Sequence, residues 1–221
     1  ANGVSLPQGV LNGLTADLNL IATAPHLLPE WLRMPQGHRV VGPVYARLPG
    51  ELPEFLADLA AGPQPLVYFA MGSSGNRNLV LDVLTGLGRA DCQVLAPVRS
   101  HLRQEDLETL PHNVHVTDWL PAHQLGDAVD LAITHGGEGT VQTSCVQGWP
   151  FIGIPLQFEQ RFNVQRCVAF GSARLVSQRE ARRTDWAELV RQALADDGMR
   201  SRARRMAGLM EGLDGPGRAA E

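Results

Sequence analysis

The feature that most restricts the fold is a series of short, almost uninterrupted apolar runs, each followed by a stretch with helical spacing. PLVYFA (65–70), CQVLAPV (92–98), NVHVT (113–117), LAIT (131–134), FIGIP (151–155) and ARLV (173–176) read as strands. A strand that alternates apolar and polar residues has one wet face, whereas one that is apolar throughout is buried on both. Helical spacing recurs at 77–87, 104–110, 138–147, 158–170, 185–195 and 199–213. Strands that alternate with helices form a parallel sheet joined by crossover helices. The expected fold class is α/β: a Rossmann-like, doubly wound parallel sheet of about six strands with helices on both faces.

The first sixty or so residues lack this pattern. Apolar runs at 18–24 and 39–44 are short, and Pro25, Pro29, Pro35, Pro43, Pro49 and Pro53 interrupt the segment repeatedly. Residues 1–63 are therefore expected to be an extended linker with a short helix near 51–59, residues 64–215 the folded domain, and 216–221 a frayed tail.

Composition narrows the chemistry. All 19 residues counted as Lys or Arg are Arg. A phosphate-binding P-loop lysine, a Schiff-base lysine and a lysine general base are thereby excluded. Cys92, Cys145 and Cys167 are widely spaced, as expected of buried, reduced thiols in a cytoplasmic protein. The net charge of −4 argues against nucleic acid as a partner. No apolar run is long enough to span a bilayer, and the dispersed histidines suggest no metal site.

In an open parallel sheet, ligands lie at the carboxyl ends of the strands. Three such ends carry unusual residues. The first strand runs into Gly72-Ser73-Ser74-Gly75, the third into Asp118-Trp119-Leu120-Pro121, and the fourth into His135-Gly136-Gly137-Glu138-Gly139-Thr140. Glycines admit close approach of a ligand to the backbone, and the N–H groups that open a helix attract anions. Gly137, Gly139 and Thr140 are expected to cradle phosphate oxygens, with His135 as a further donor and Glu138 turned away. Ser73 and Ser74 can bond the same phosphates. Trp119 offers a face on which a base can stack. Glu159 and Gln160, just past the fifth strand, can hydrogen-bond sugar hydroxyls. No G-x-G-x-x-G follows the first strand and no acid closes the second, which counts against a nicotinamide-dependent oxidoreductase.

Taken together, Trp119-Leu120-Pro121, His135-Gly136-Gly137, Gly148-Trp149-Pro150 and Glu159-Gln160, with Asn163 following, resemble the donor signature of the family 1 nucleotide-sugar-dependent glycosyltransferases, which have the GT-B fold. The match runs from about 65 to 176, and Gly42-Pro43-Val44 resembles that family's interdomain linker. The resemblance implies the donor-binding, carboxy-terminal half of a GT-B fold. Trp119 would stack on the base, with Leu120 backbone groups at its edge. Ser73, His135, Gly137, Gly139 and Thr140 would hold the diphosphate, and Glu159 and Gln160 the sugar. Thr143 stands where the family carries a Glu for the ribose hydroxyls, and Ala122 where a Gln often follows W-x-P.

The implied activity is inverting, metal-independent transfer of a sugar from a UDP- or dTDP-sugar to a hydroxyl of a small lipophilic acceptor. No cofactor is implied beyond the nucleotide-sugar substrate. The catalytic base would lie in an amino-terminal, acceptor-binding half or partner subunit, and this chain alone is expected to be inactive. The alternative is a non-enzymatic nucleotide-sugar-binding subunit.

Overall fold

The computed structural model describes residues 16–45, 47 and 49–221. The chain divides into two compact units, Tyr45–Glu211 and a smaller one that joins residues of the segment up to Val44 to Gly212–Glu221. The division falls directly after Gly42-Pro43-Val44.

The larger unit holds six parallel strands: β3 (Leu66–Ala70), β4 (Gln93–Ala96), β5 (Val114–Val116), β6 (Leu131–Thr134), β7 (Phe151–Gly153) and β8 (Ala173–Leu175). They lie side by side in the order β5-β4-β3-β6-β7-β8. The chain winds outward from β3 to one edge, returns to the centre and winds outward to the other. Between β3 and β6 consecutive crossovers leave in opposite directions, which opens a crevice above the carboxyl ends of these two strands. The first and fourth apolar runs of the sequence form this central pair.

All residues of β3, β6 and β7 are buried, as their unbroken apolar character requires. Val67, Phe69, Val94, Leu131, Ile133 and Ile152 share one face by register. That face packs with α2 (Arg77–Leu87), α6 (Gln178–Ala181) and α7 (Trp186–Leu194) into the main core. The other face is covered by α4 (Glu138–Gln147), α5 (Phe158–Phe170) and α8 (Asp197–Met210). The Sγ atoms of Cys145 and Cys167, buried thiols on α4 and α5, lie 3.8 Å apart. Two further helices of this unit, α1 (Phe55–Ala61) and α3 (Gln104–Leu107), are short, and α3 ends before the expected residue 110.

Helix ends follow local chemistry. Asn76 Oδ1 accepts from the Leu79 amide at 3.0 Å to start α2, and Asp196 Oδ1 accepts from Met199 at 2.9 Å to start α8. Gly148 (φ 69°) and Gly171 (φ 89°) end α4 and α5 in the left-handed conformation that favours glycine.

The smaller unit departs from expectation. Part of the anticipated linker, 1–15, lies outside the described residues. The rest is more ordered than its prolines suggest: β1 (Asn19–Ile21) and β2 (His38–Val40) pair in parallel. The boundary between units lies at 44/45 rather than 63/64. The tail is not frayed either. Residues Gly215–Ala220 form α9, capped by Asp214 Oδ1, which accepts from Gly217 at 2.9 Å, and Glu221 pairs with Arg39 at 2.9 Å. Proline at the helix start and an Asp cap, both visible in LDGPG, are the local signals for this helix.

Trp186 is fully buried in the main core against α2, and its Nε1–H donates to the Ala181 carbonyl at 2.9 Å. A Cβ on Gly86 would lie 2.6 Å from its ring, so α2 must present a glycine there. Trp186→Ala is expected to cost about 3–5 kcal/mol of unfolding free energy, measured by urea denaturation; a loss near zero would show that this contact is not part of the core.

Candidate functional site

The site grows from the two turns above β3 and β6. At the end of β6, Thr134 Oγ1 accepts from the Gly136 amide at 2.8 Å and lies 3.1 Å from Thr140 Oγ1, which donates to the Gly137 carbonyl at 2.9 Å. These bonds set the path from strand to helix. Gly136 adopts φ 82°, and a Cβ there would meet Val164 of α5 at 2.5 Å. Gly137 is the N-cap of α4 and supplies no side-chain acceptor. Among the described residues, the amides of Gly139 and Thr140 have no acceptor. A Cβ on Gly139 would meet nothing within 4 Å. The positive end of the α4 dipole therefore opens at a bare backbone. The Glu138 carboxylate turns back along α4 to accept from Gln142, as expected.

His135 lies between the two turns. Its ring fills the space that a Cβ on Gly137 would need and comes within 2.7 Å of the Cβ position at Gly72, where φ is 52°. Both glycines are thus required by the imidazole, and only Gly139 has the open space that was expected of the whole turn. His135 is 7% exposed, and its Nδ1 has no hydrogen-bond partner among the described residues. Burial holds the imidazole below the ordinary histidine value, opposed by the Ala70 carbonyl and the Glu159 carboxylate and reinforced by nearby His101. Burial thus favours the uncharged form of the ring.

A cleft of about 300 Å³ lies beside these turns. Of the residues singled out in the sequence, Trp119, Leu120, Gly139, Thr140 and Thr143 line it, together with Gly72. Trp119 is 55% exposed, and a Cβ on Gly50 would lie 2.8 Å from the edge of its ring. Leu120 buries its side chain, and its carbonyl accepts from Ala122 at 3.0 Å. The Thr143 hydroxyl donates to the Gly139 carbonyl at 2.8 Å.

The remaining expected residues lie outside the cleft lining. Ser73 is exposed at the rim. Ser74 is half-buried, and its hydroxyl accepts from Gln160 Nε2 at 3.1 Å. Gln160, expected at the sugar hydroxyls, bonds within the chain here. It is 3% exposed, and its Oε1 accepts from the Leu156 and Gln157 amides at 2.9 and 3.1 Å. The adjoining loop and helix start have unpaired N–H groups that draw the amide inward, so Gln160 brackets α5 to the β3 turn. Glu159, one residue earlier, points outward and accepts from Asn163 Nδ2, which also donates to the Gly136 carbonyl at 3.2 Å.

Sequence reasoning missed several contributors. Tyr45, Tyr68 and His123 line the cleft. His101, read as a loop residue, lies 2.7 Å from the Gly72 carbonyl through Nε2 and fastens the first turn. The rule that all carboxyl ends of a parallel sheet share one edge could have flagged His101, which follows the second strand. Nothing local marks Tyr45 or Tyr68.

The lowered pKa of His135 has a consequence for stability. Folded protein binds fewer protons than unfolded protein as pH falls below 6.5, the ordinary value. The stabilisation is complete above that value and is lost as pH falls toward the depressed folded pKa. His115 shifts in the same direction, also through burial. Urea midpoints measured between about pH 7.5 and about pH 5 are expected to fall for the native chain and to fall less steeply for His135→Gln. Equal slopes would contradict a buried neutral imidazole.

A family model described as the erythromycin biosynthesis protein CIII-like C-terminal domain matches residues 81–217, more than half of the chain. The PGL/p-HBAD biosynthesis glycosyltransferase of Mycobacterium tuberculosis is 30% identical over 193 residues, spanning 86% of this chain and 44% of the relative. The 4'-demethylrebeccamycin synthase of Lentzea aerocolonigenes is 30% identical over 202 residues, spanning 87% and 46%. The crystal structure of glycosyltransferase VinC in complex with dTDP superposes with a TM-score of 0.71 at 20% identity, over 89% of this chain and 48% of VinC. The chain spans about half the length of the curated relatives it matches. It belongs to the family of erythromycin biosynthesis protein CIII-like C-terminal domains, and its six-stranded sheet is the carboxy-terminal half of a GT-B glycosyltransferase fold.

Proposed function

We propose that this domain binds the nucleotide diphosphate sugar of an inverting, metal-independent glycosyltransferase. The observation that carries the reading is the bare start of α4 at the switch point, where Gly139 and Thr140 present amides beside an aromatic cleft. A helix start contributes about 0.3–1 kcal/mol toward an anion, and each hydrogen bond to a charged group about 1.5–3 kcal/mol. Such terms hold a diphosphate by backbone dipoles. The base stacks on Trp119, and the diphosphate lies along Gly137, Gly139 and Thr140, with His135, Ser73 and Ser74 beside it. Glu159 meets the sugar hydroxyls. Binding of dTDP by VinC, a protein of the same fold, supports this arrangement.

In the transfer, a hydroxyl of a small lipophilic acceptor attacks the anomeric carbon from the side opposite the diphosphate. The bond to the diphosphate oxygen breaks, and configuration inverts. Negative charge grows on the departing nucleotide diphosphate, where the α4 amides and His135 stabilise it more strongly than in the ground state. The base that takes the acceptor proton belongs to an amino-terminal half or partner subunit, and this chain by itself is inactive.

Calorimetric titration of the chain with dTDP and UDP is expected to show one site. Trp119→Ala is expected to weaken it by about tenfold or more, from the roughly 1–3 kcal/mol of a base–aromatic stack. Unchanged affinity in that variant would remove the base from Trp119. A second titration compares UDP with UDP-glucose. Glu159→Ala should weaken UDP-glucose selectively, whereas Gln160→Ala should lower the thermal midpoint; the reverse pattern would restore Gln160 as the sugar ligand. Sugar transfer to an added acceptor by this chain alone would contradict the assignment of the base elsewhere.

A further inference from the structure

Two of the three cysteines face each other across a helix pair. Cys145 on α4 and Cys167 on α5 are both buried, and their Sγ atoms lie 3.8 Å apart. Residues two apart on a helix point to opposite sides, so Cys145 turns away from Thr143 and from the cleft that Thr143 lines. The hydrogen bond with Cys167, together with burial, holds the Cys145 thiol well above the ordinary cysteine value. The contact therefore keeps its protons while α4 and α5 stay packed. Cys92 is also a buried thiol, pushed up to about 11 by burial and by Asp91. It belongs to the main core on the opposite face of the sheet.

We infer that Cys145 and Cys167 form a reversible oxidation site, at which hydrogen peroxide converts the two thiols to a disulfide joining α4 to α5. Disulfide sulfurs lie about 2 Å apart, so the two side chains must close a gap of less than one sulfur diameter. The step balances with peroxide as the oxidant. One thiolate attacks a peroxide oxygen: an S–O bond forms, the O–O bond breaks, and the departing hydroxide takes up the thiol's proton as water. The second sulfur then attacks the resulting sulfenic acid. The S–S bond forms, the S–O bond breaks, and a second water leaves with the second thiol's proton. The thiols lose two electrons, and peroxide gains them. Only a thiolate is nucleophilic, so the first attack waits for a transient opening between the helices and is slow. The second attack is fast, because its partner is already in contact. A sulfenic acid at Cys92 has no such partner. The disulfide closes a loop between positions 22 apart in the chain, which reduces the freedom of the unfolded state.

The test treats the full chain with hydrogen peroxide, removes the excess with catalase and alkylates the remaining thiols in denaturant. Peptide mass spectrometry is expected to find Cys145 joined to Cys167 and Cys92 alkylated. Dithiothreitol is expected to restore three alkylated thiols. The oxidised chain is expected to melt about 5 °C higher than the reduced one. Cys167→Ser should show neither the crosslink nor the rise, and its Cys145 should proceed to sulfinic acid. Cys145→Ser gives the mirror result at Cys167, so either folded variant serves. Three alkylated thiols after peroxide overturn the inference. So does sulfinic acid at Cys145 and Cys167 of the native chain without a crosslink, or oxidation of Cys92 as fast as that of the pair. A crosslinked chain with an unchanged or lowered melting point overturns the placement of the two sulfurs within easy reach of each other.

Discussion

The arrangement depends on one side chain wedged between two turns. The His135 imidazole occupies the space where Gly72 and Gly137 lack a Cβ, so the loop after β3 and the loop after β6 are held in register through it. His101 fastens the Gly72 carbonyl from one side, and Gln160 reaches Ser74 from the other. These contacts converge where the sheet reverses its winding direction, the place where a doubly wound fold leaves an opening. With the two turns fixed, the start of α4 is held beside the cleft that Gly139, Thr140 and Thr143 line.

The same turn separates packing from exposure within five residues. At Gly136 and Gly137 the missing side chain makes room for Val164 and for His135. At Gly139 nothing fills the space. The buried polar groups nearby have specific partners: Thr140 bonds Gly137, Gln160 bonds two amides, and Asn163 ties Gly136 to Glu159. His135 Nδ1 has no partner among the described residues.

Much of the fold was legible because its signals are local. Unbroken apolar runs such as LVYFA and LAIT require burial on both faces, and glycines after α4 and α5 end those helices where the backbone turns left-handed. The smaller unit was less legible. The β1–β2 pair brings together residues 19–21 and 38–40, and its partly exposed strands lack the apolar density of the main sheet. The ordered α9 was overlooked although Asp214 and Pro216 mark its start. Within the site, Trp119, Gly139 and Thr143 were found from motifs and do line one cleft. The bonds that Gln160 makes within the chain were not legible, because an amide at a helix start can face either way and the sequence does not say which N–H groups lie within its reach.

The alternation of apolar strands and helices dictated a parallel α/β sheet, and the absence of lysine ruled out several chemistries, because both are properties of the chain itself. Tertiary structure decided which of the residues at strand ends share one cleft, that Gly72 and Gly137 make way for an imidazole while Gly139 stays open, and that Thr143 spends its proton on its own helix. Each of these depends on distances between segments far apart in the chain, and side-chain type alone does not encode such distances.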